Sequence, residues 1–138
     1  MNAHQTALLS GGVLGFFAVG MGAMGAHHLG LTESERAAWS TAVDYQMWHA
    51  IVLLLAPLIS FRASRTFPLL VASFVAGIVL FSGSIYLLVL TKNSLWGPIT
   101  PLGGIFILLG WFLLVLSVWL HREDRFHYGR SQKALAKK

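Results

Sequence analysis

The chain has 138 residues, of which 56% are hydrophobic and 11% charged, with a formal net charge of +5 and no cysteine. Soluble domains carry about 25% charged residues, so this composition leaves too little polar surface to cover a water-facing globule. The lack of cysteine excludes disulfides, thiolate metal sites and thiol nucleophiles, and the length fits one domain, residues 1–138.

Four segments are long and apolar enough, or nearly so, to cross a hydrocarbon layer, which takes about 20 residues of helix. The first, 6–26, carries no charged residue, and no Lys or Arg precedes it. A secretory leader would open on positive charge and close on a small-residue cleavage site, so this run reads as a retained membrane helix. The second covers 45–61. Its purely apolar part, 50–59, is too short alone, so the polar start Asp44-Tyr45-Gln46-Met47-Trp48-His49 must enter the membrane or its interface. The third, 67–90, opens with Pro68 in its first turn, a favoured place for proline. The fourth, 98–120, opens with Pro98 and Pro101. In lipid each must be helical, because every backbone polar group needs an internal partner.

Between the first two spans, Thr32 and Glu35 form a Thr-x-x-Glu capping box that predicts a helix start. Two courses stay open for 33–44: continuation into the second span, or a short interfacial helix that bends before Tyr45. Eight of the ten Lys and Arg fall in the 62–65 loop and the 121–138 tail, leaving Arg36 and Lys92 opposite. The positive-inside rule then places both termini in the cytoplasm. The basic tail reads as an orientation signal with attraction to anionic lipid. It lacks the stacking platform or recognition helix that a nucleic-acid partner would need.

Small residues recur at helix-packing spacing. Gly11 and Gly15 form a Gly-x-x-x-Gly pair, Ala18 and Gly22 extend that face, and Gly77, Gly83, Gly103 and Gly104 supply the later spans. Such stripes let backbones approach closely in lipid. The predicted fold is an all-α, antiparallel four-helix membrane bundle with short connections.

Four motifs in order carry a family resemblance: Gly22-Ala23-Met24-Gly25-Ala26-His27, Tyr45-Gln46-Met47-Trp48-His49, Phe81-Ser82-Gly83-Ser84-Ile85-Tyr86 and Trp96-Gly97-Pro98-Ile99-Thr100-Pro101-Leu102-Gly103-Gly104. Together, over about residues 8–120, they resemble the domain of unknown function 423 family. It includes small bacterial inner-membrane proteins and the mitochondrial-type transmembrane protein 256. The resemblance implies a four-span, multi-pass protein of the bacterial inner membrane, and no agreed activity. Met24 replaces the family's usual aromatic residue, and Asp44 stands where Glu is at least as frequent.

His27, Asp44, Tyr45, Gln46, His49 and Tyr86 form the one predicted cluster of titratable and hydrogen-bonding groups. In an antiparallel pair the ends bearing His27 and Asp44 meet at the outer face. Tyr45, Gln46 and His49 share one helix face by i+3 and i+4 spacing. One reading has these groups satisfy each other and lock helices, as buried polar groups in lipid must. A second has His27 and His49 ligate a metal or haem, with Asp44 orienting an imidazole. A third is proton or solute transport by an oligomer, although no inverted repeat of broken helices is evident. Hydrolase, metalloprotease, phosphate-loop and dinucleotide signatures are absent, so no catalytic residue and no cofactor is assigned. The sequence favours an accessory or scaffold component that packs in the bilayer with itself, as a homo-oligomer, or with a larger membrane complex.

Overall fold

The computed structural model describes residues 2–27, 30–59 and 66–135. They form four helices: α1 (Ala3–His27), α2 (Glu33–Ile59), α3 (Thr66–Thr91) and α4 (Ile99–Leu135), with a 3-10 turn at Ser94–Trp96 before the last. No strand occurs among the described residues.

The helix starts follow from side-chain caps. At α1, Asn2 Oδ1 accepts from Gln5 N at 2.9 Å, and Gln5 Oε1 accepts from Asn2 N at 3.2 Å. At α2 the predicted box forms: Thr32 N donates to Glu35 Oε2 at 3.1 Å, and Glu35 N donates to Thr32 Oγ1 at 3.4 Å. These bonds satisfy amides that have no partner within the helix. From Glu33 the helix runs unbroken to Ile59, so residues 33–44 continue the second helix and form no separate interfacial one. The second helix therefore begins twelve residues before Tyr45, the expected start. Helix α4 likewise runs past 120 to Leu135.

Among the described residues, three helical stretches are long and apolar enough to cross a membrane: Ala3–His27, Thr66–Thr91 and Ser94–Leu120. Helix α2 is not in this set, and the charged and hydroxyl residues Glu33, Glu35, Arg36, Ser40, Thr41 and Asp44 fall in its first half.

Neighbouring helices run in opposite directions. On α1 and α2, Gly11 faces Ala50 and Leu54, Gly22 faces Val43, and Gly25 faces Trp39. Between α2 and α3, His49 faces Phe74 and Tyr45 faces Phe81. Between α3 and α4, Gly110 faces Phe74 and Gly103 faces Phe81. One end of the molecule therefore holds the α1–α2 and α3–α4 connections, and we call it the hairpin end. There Lys92 pairs with Glu35. The most extensive contact is α3 on α4, followed by α1 on α2 and then α2 on α3.

Two apolar clusters fill the interior. Nearer the N-terminus, Ala7, Leu53, Ala56, Phe67, Leu70, Phe74, Ile78 and Leu113 join all four helices. At the hairpin end, Trp39, Ala42, Ile85, Tyr86 and Val89 join α2 to α3.

Glycine permits the closest approaches. A β-carbon at Gly103 would stand 2.7 Å from Phe81 Cα, and one at Gly77 would stand 2.9 Å from Ile107 N. At Gly11 it would meet the Ala50 carbonyl oxygen at 2.9 Å, while Gly22 and Gly15 face Val43 and Ala50 at ordinary contact distance. Two predicted packing glycines do no such work: a β-carbon at Gly83 or Gly104 would meet nothing within 4 Å. Both sit one position off the contact face, and spacing alone did not reveal it. Gly25 under Trp39 and Gly110 under Phe74, small residues of the first and fourth spans, also make close contacts.

Candidate functional site

Helix α2 buries Trp39, Ala42, Gln46, His49, Ala50, Leu53 and Ala56; all but Ala50, which packs on Gly11 of α1, follow a 3-4-3-4-3 spacing that keeps one stripe against its neighbours. The stripe changes character along its length. Toward the C-terminal end it is aliphatic, and toward the hairpin end it is a row of hydrogen-bonding groups.

Each of those groups reaches another helix. Trp39 Nε1 donates to the Met21 carbonyl of α1 at 2.8 Å. The Ala42 carbonyl accepts from Ser82 Oγ of α3 at 2.8 Å. Gln46 bridges two helices: its Nε2 donates to the Leu14 carbonyl of α1 at 2.8 Å, and its Oε1 accepts from the Tyr86 hydroxyl of α3 at 3.0 Å. His49 Nδ1 lies 2.6 Å from the Tyr45 carbonyl, and its Nε2 lies 3.2 Å from Trp111 Nε1 of α4. A carbonyl only accepts and an indole N–H only donates. His49 is therefore the neutral Nδ1–H tautomer, with its Nε2 lone pair engaged by Trp111. Gln46 and His49 are 5% and 4% exposed, so these partners replace water. Beside them, Ser84 and Thr100 share a hydroxyl contact of 2.7 Å between α3 and α4.

The structure brings together four of the six predicted cluster residues. Gln46 and Tyr86 bond directly, and Tyr45 gives its carbonyl to His49 while its ring stacks on Phe81 at 4.6 Å. Asp44 is exposed on the opposite side of α2. His27, also exposed, closes α1 at the hairpin end, whereas His49 sits beside Gly15 and Ala50. At 1.5 Å per residue the twelve positions between Gly15 and His27 separate the two imidazoles by about 18 Å along the axis. The shared His27–His49 metal site is thus not assembled, and no group of three or more His, Asp or Glu side chains spaced for a metal occurs among the described residues. Trp39 and Trp111 were missed. The signal for Trp39 was its place in the stripe with Gln46 and His49; Trp111 gave none that separates it from ordinary helix residues. The Ser82 hydroxyl, a residue type that commonly bonds across membrane helices, does so here with the Ala42 carbonyl.

Outside the stripe, the Lys92 ammonium beside Glu35 holds that carboxyl below the usual glutamate range. Lys92 itself adopts a left-handed backbone, φ 56°, at the end of α3.

A row of interhelical hydrogen bonds inside apolar helices is the construction of an integral membrane protein, and the comparisons agree. The chain belongs to the family described as protein of unknown function DUF423, whose profile matches residues 21–104. It is 37% identical to the UPF0382 membrane protein SAB0533 of Staphylococcus aureus, covering 81% of this chain and 93% of that one. It is 37% identical to the UPF0382 membrane protein YwdK of Bacillus subtilis, covering 80% and 93%. It is 38% identical to the UPF0382 inner membrane protein YgdD of Escherichia coli, covering 87% and 95%. No solved structure matches it.

Proposed function

We propose that the protein is a four-span component of the bacterial inner membrane, with both termini cytoplasmic, that serves as a packing scaffold for itself or a larger membrane complex. The observation that carries this reading is the use of the polar groups. Both nitrogens of His49 and both ends of the Gln46 amide are taken by neighbouring helices or by the backbone of α2 itself. Such groups lock helices and leave no lone pair directed at a ligand. Helix α2 crosses the bilayer in company: the stripe of hydrogen-bonding groups on it is turned onto α1, α3 and α4.

The test is metal and haem analysis of purified protein together with a His49→Ala variant. The expected result is no stoichiometric metal or haem in either, with lower thermal stability in the variant. Stoichiometric metal that disappears with His49→Ala overturns the reading. For orientation, a reporter fused after Lys138 is expected to be active in the cytoplasm, and periplasmic activity overturns the topology.

A further inference from the structure

Helices α1 and α3 touch little, and a groove of about 710 Å³ runs between them. Ala3 and Thr6 of α1 form one wall, and Pro68, Ala72, Val75 and Val79 of α3 form the other. The four α3 residues follow a 4-3-4 spacing, which sets them in one stripe along the helix. Pro68, Ala72 and Val79 are exposed, so the groove opens outward. Thr6 alone among these six has a polar side chain, and its hydroxyl is already used, donating to the Asn2 carbonyl at 3.2 Å. The walls therefore offer shape and an apolar surface, with no donor awaiting a partner.

The groove lies within two of the three stretches able to cross a membrane. It starts in the first turns of α1 and α3, at the end of the molecule away from the hairpin end, and stops at Val79, the middle of Thr66–Thr91. Pro68 to Val79 is eleven residues, about 16 Å at 1.5 Å per residue. Half of a hydrocarbon core about 30 Å thick is about 15 Å. The groove thus has the length of one leaflet, which is the length of one acyl chain. A partner helix does not fit this description: it is about 10–12 Å wide with its side chains and would need a seat through both leaflets. Beyond the groove's deep end, Gln46 bridges α1 and α3 through the Leu14 carbonyl and the Tyr86 hydroxyl. A trough left empty at this depth would forfeit dispersion contacts along both walls, so a lipid tail is the occupant its surroundings supply.

The charge at the mouth selects the headgroup. Ala3 and Pro68 stand in the first turns of their helices, so two positive helix ends flank the opening. The 62–65 loop precedes α3 at this end and the chain after 120 leaves α4 at this end; together they carry eight of the ten Lys and Arg against two acids, Glu123 and Asp124. A basic rim over an apolar trough complements an anionic headgroup on a hydrocarbon tail. The groove belongs to α1 and α3, so neither the course of α2 nor the side of the membrane that holds the termini enters.

We infer that the α1–α3 groove is a binding site for an anionic glycerophospholipid, with one acyl chain lying between Thr6 and Val79 and the phosphate at the N-terminal ends of α1 and α3. The test reconstitutes the native protein in phosphatidylcholine vesicles that contain a small fraction of phosphatidylglycerol with a diazirine in the middle of one acyl chain. After irradiation, adducts are mapped by peptide mass spectrometry. The comparison surface is the α4 stripe Leu108, Phe112 and Val115, which is 70%, 62% and 67% exposed and lies in the same leaflet, since Gly110 faces Phe74. Adducts of phosphatidylglycerol are expected to concentrate on residues 3–6 and 68–79 over that stripe. A phosphatidylcholine with the same photoactive chain is expected to label the two surfaces alike. Ala72→Phe and Ala76→Phe, which fill the groove, are expected to lose the excess. Equal labelling of groove and stripe by phosphatidylglycerol, an equal excess with phosphatidylcholine, or an excess undiminished in both variants overturns the inference. Where thermal unfolding shows that a variant has not folded, the two lipids on the native protein still decide.

Discussion

The indole N–H of Trp111 points at Nε2 of His49 from 3.2 Å, and the imidazole's other nitrogen is held by the Tyr45 carbonyl at 2.6 Å. Helices α2 and α4, which otherwise touch little, are joined there. Trp111→Phe keeps an aromatic ring against Phe74, 5.7 Å away in the native contact, and removes only the donor. The orphaned nitrogen is expected to cost about 0.5–2 kcal/mol, within the range for interhelical bonds in membranes. Thermal unfolding in detergent measures it. A variant as stable as the parent would show that the contact carries no energy.

Gln46 ties α1 and α3 through one amide, so its effects are not additive with those of its partner. Tyr86→Phe leaves the Gln46 oxygen unsatisfied, and Gln46→Met leaves the Tyr86 hydroxyl unsatisfied. The double variant is expected to lose less stability than the sum of the singles, with a coupling of about 0.5–2 kcal/mol. Simple additivity in a double-mutant cycle would contradict the bond.

Adjacent glycines should behave oppositely. Gly103→Ala drives a methyl into the Phe81 backbone and should destabilise by about 1–3 kcal/mol. Gly104→Ala meets open space and gains helix propensity, so it should be neutral or stabilising by up to about 1 kcal/mol. Gly83→Ala should follow Gly104→Ala. Paired melting curves decide the matter.

The Glu35–Lys92 pair gives a pH dependence of known sign. Lys92 lowers the Glu35 pKa in the folded protein from the ordinary 4.5. A depressed acid stabilises the fold fully above its unfolded value and loses that contribution as pH falls below 4.5 through the folded value. The difference in melting temperature between the native protein and Glu35→Gln should therefore be constant near neutrality and vanish in acid. The pair is exposed, so the difference should be small and shrink with added salt.

Much of this architecture could be read from residues alone. The Thr32–Glu35 box located the start of α2, and the three apolar runs located the other helices. The choice between a continuous α2 and an interfacial segment could not be read, because it depends on α3 and α1 covering Trp39, Ala42 and Gln46. Partner choice was also hidden. Hydropathy counts Trp39 and Trp111 as greasy side chains and is blind to their N–H groups. Spacing put Gly83 and Gly104 on a contact face, but which side of a helix meets its neighbour is decided by the crossing geometry. The acid, amide and imidazole of 44–49 were recognised as one cluster. A helix turns about 100° per residue, and that rotation sends Asp44 outward while Gln46 and His49 turn in.

The row of bonds along α2 bears on biogenesis. As the nascent chain leaves the ribosome, Gln46 finds the Leu14 carbonyl already made, while Tyr86 is still 40 positions downstream of it and Trp111 is 62 positions beyond His49. On the proposed four-span arrangement, the second helix would carry an unmet amide oxygen and an unmet ring nitrogen until those arrive. Its settlement in the bilayer would then be a late event that awaits synthesis of the last helix. A truncation that ends before Trp111 would leave it unsettled.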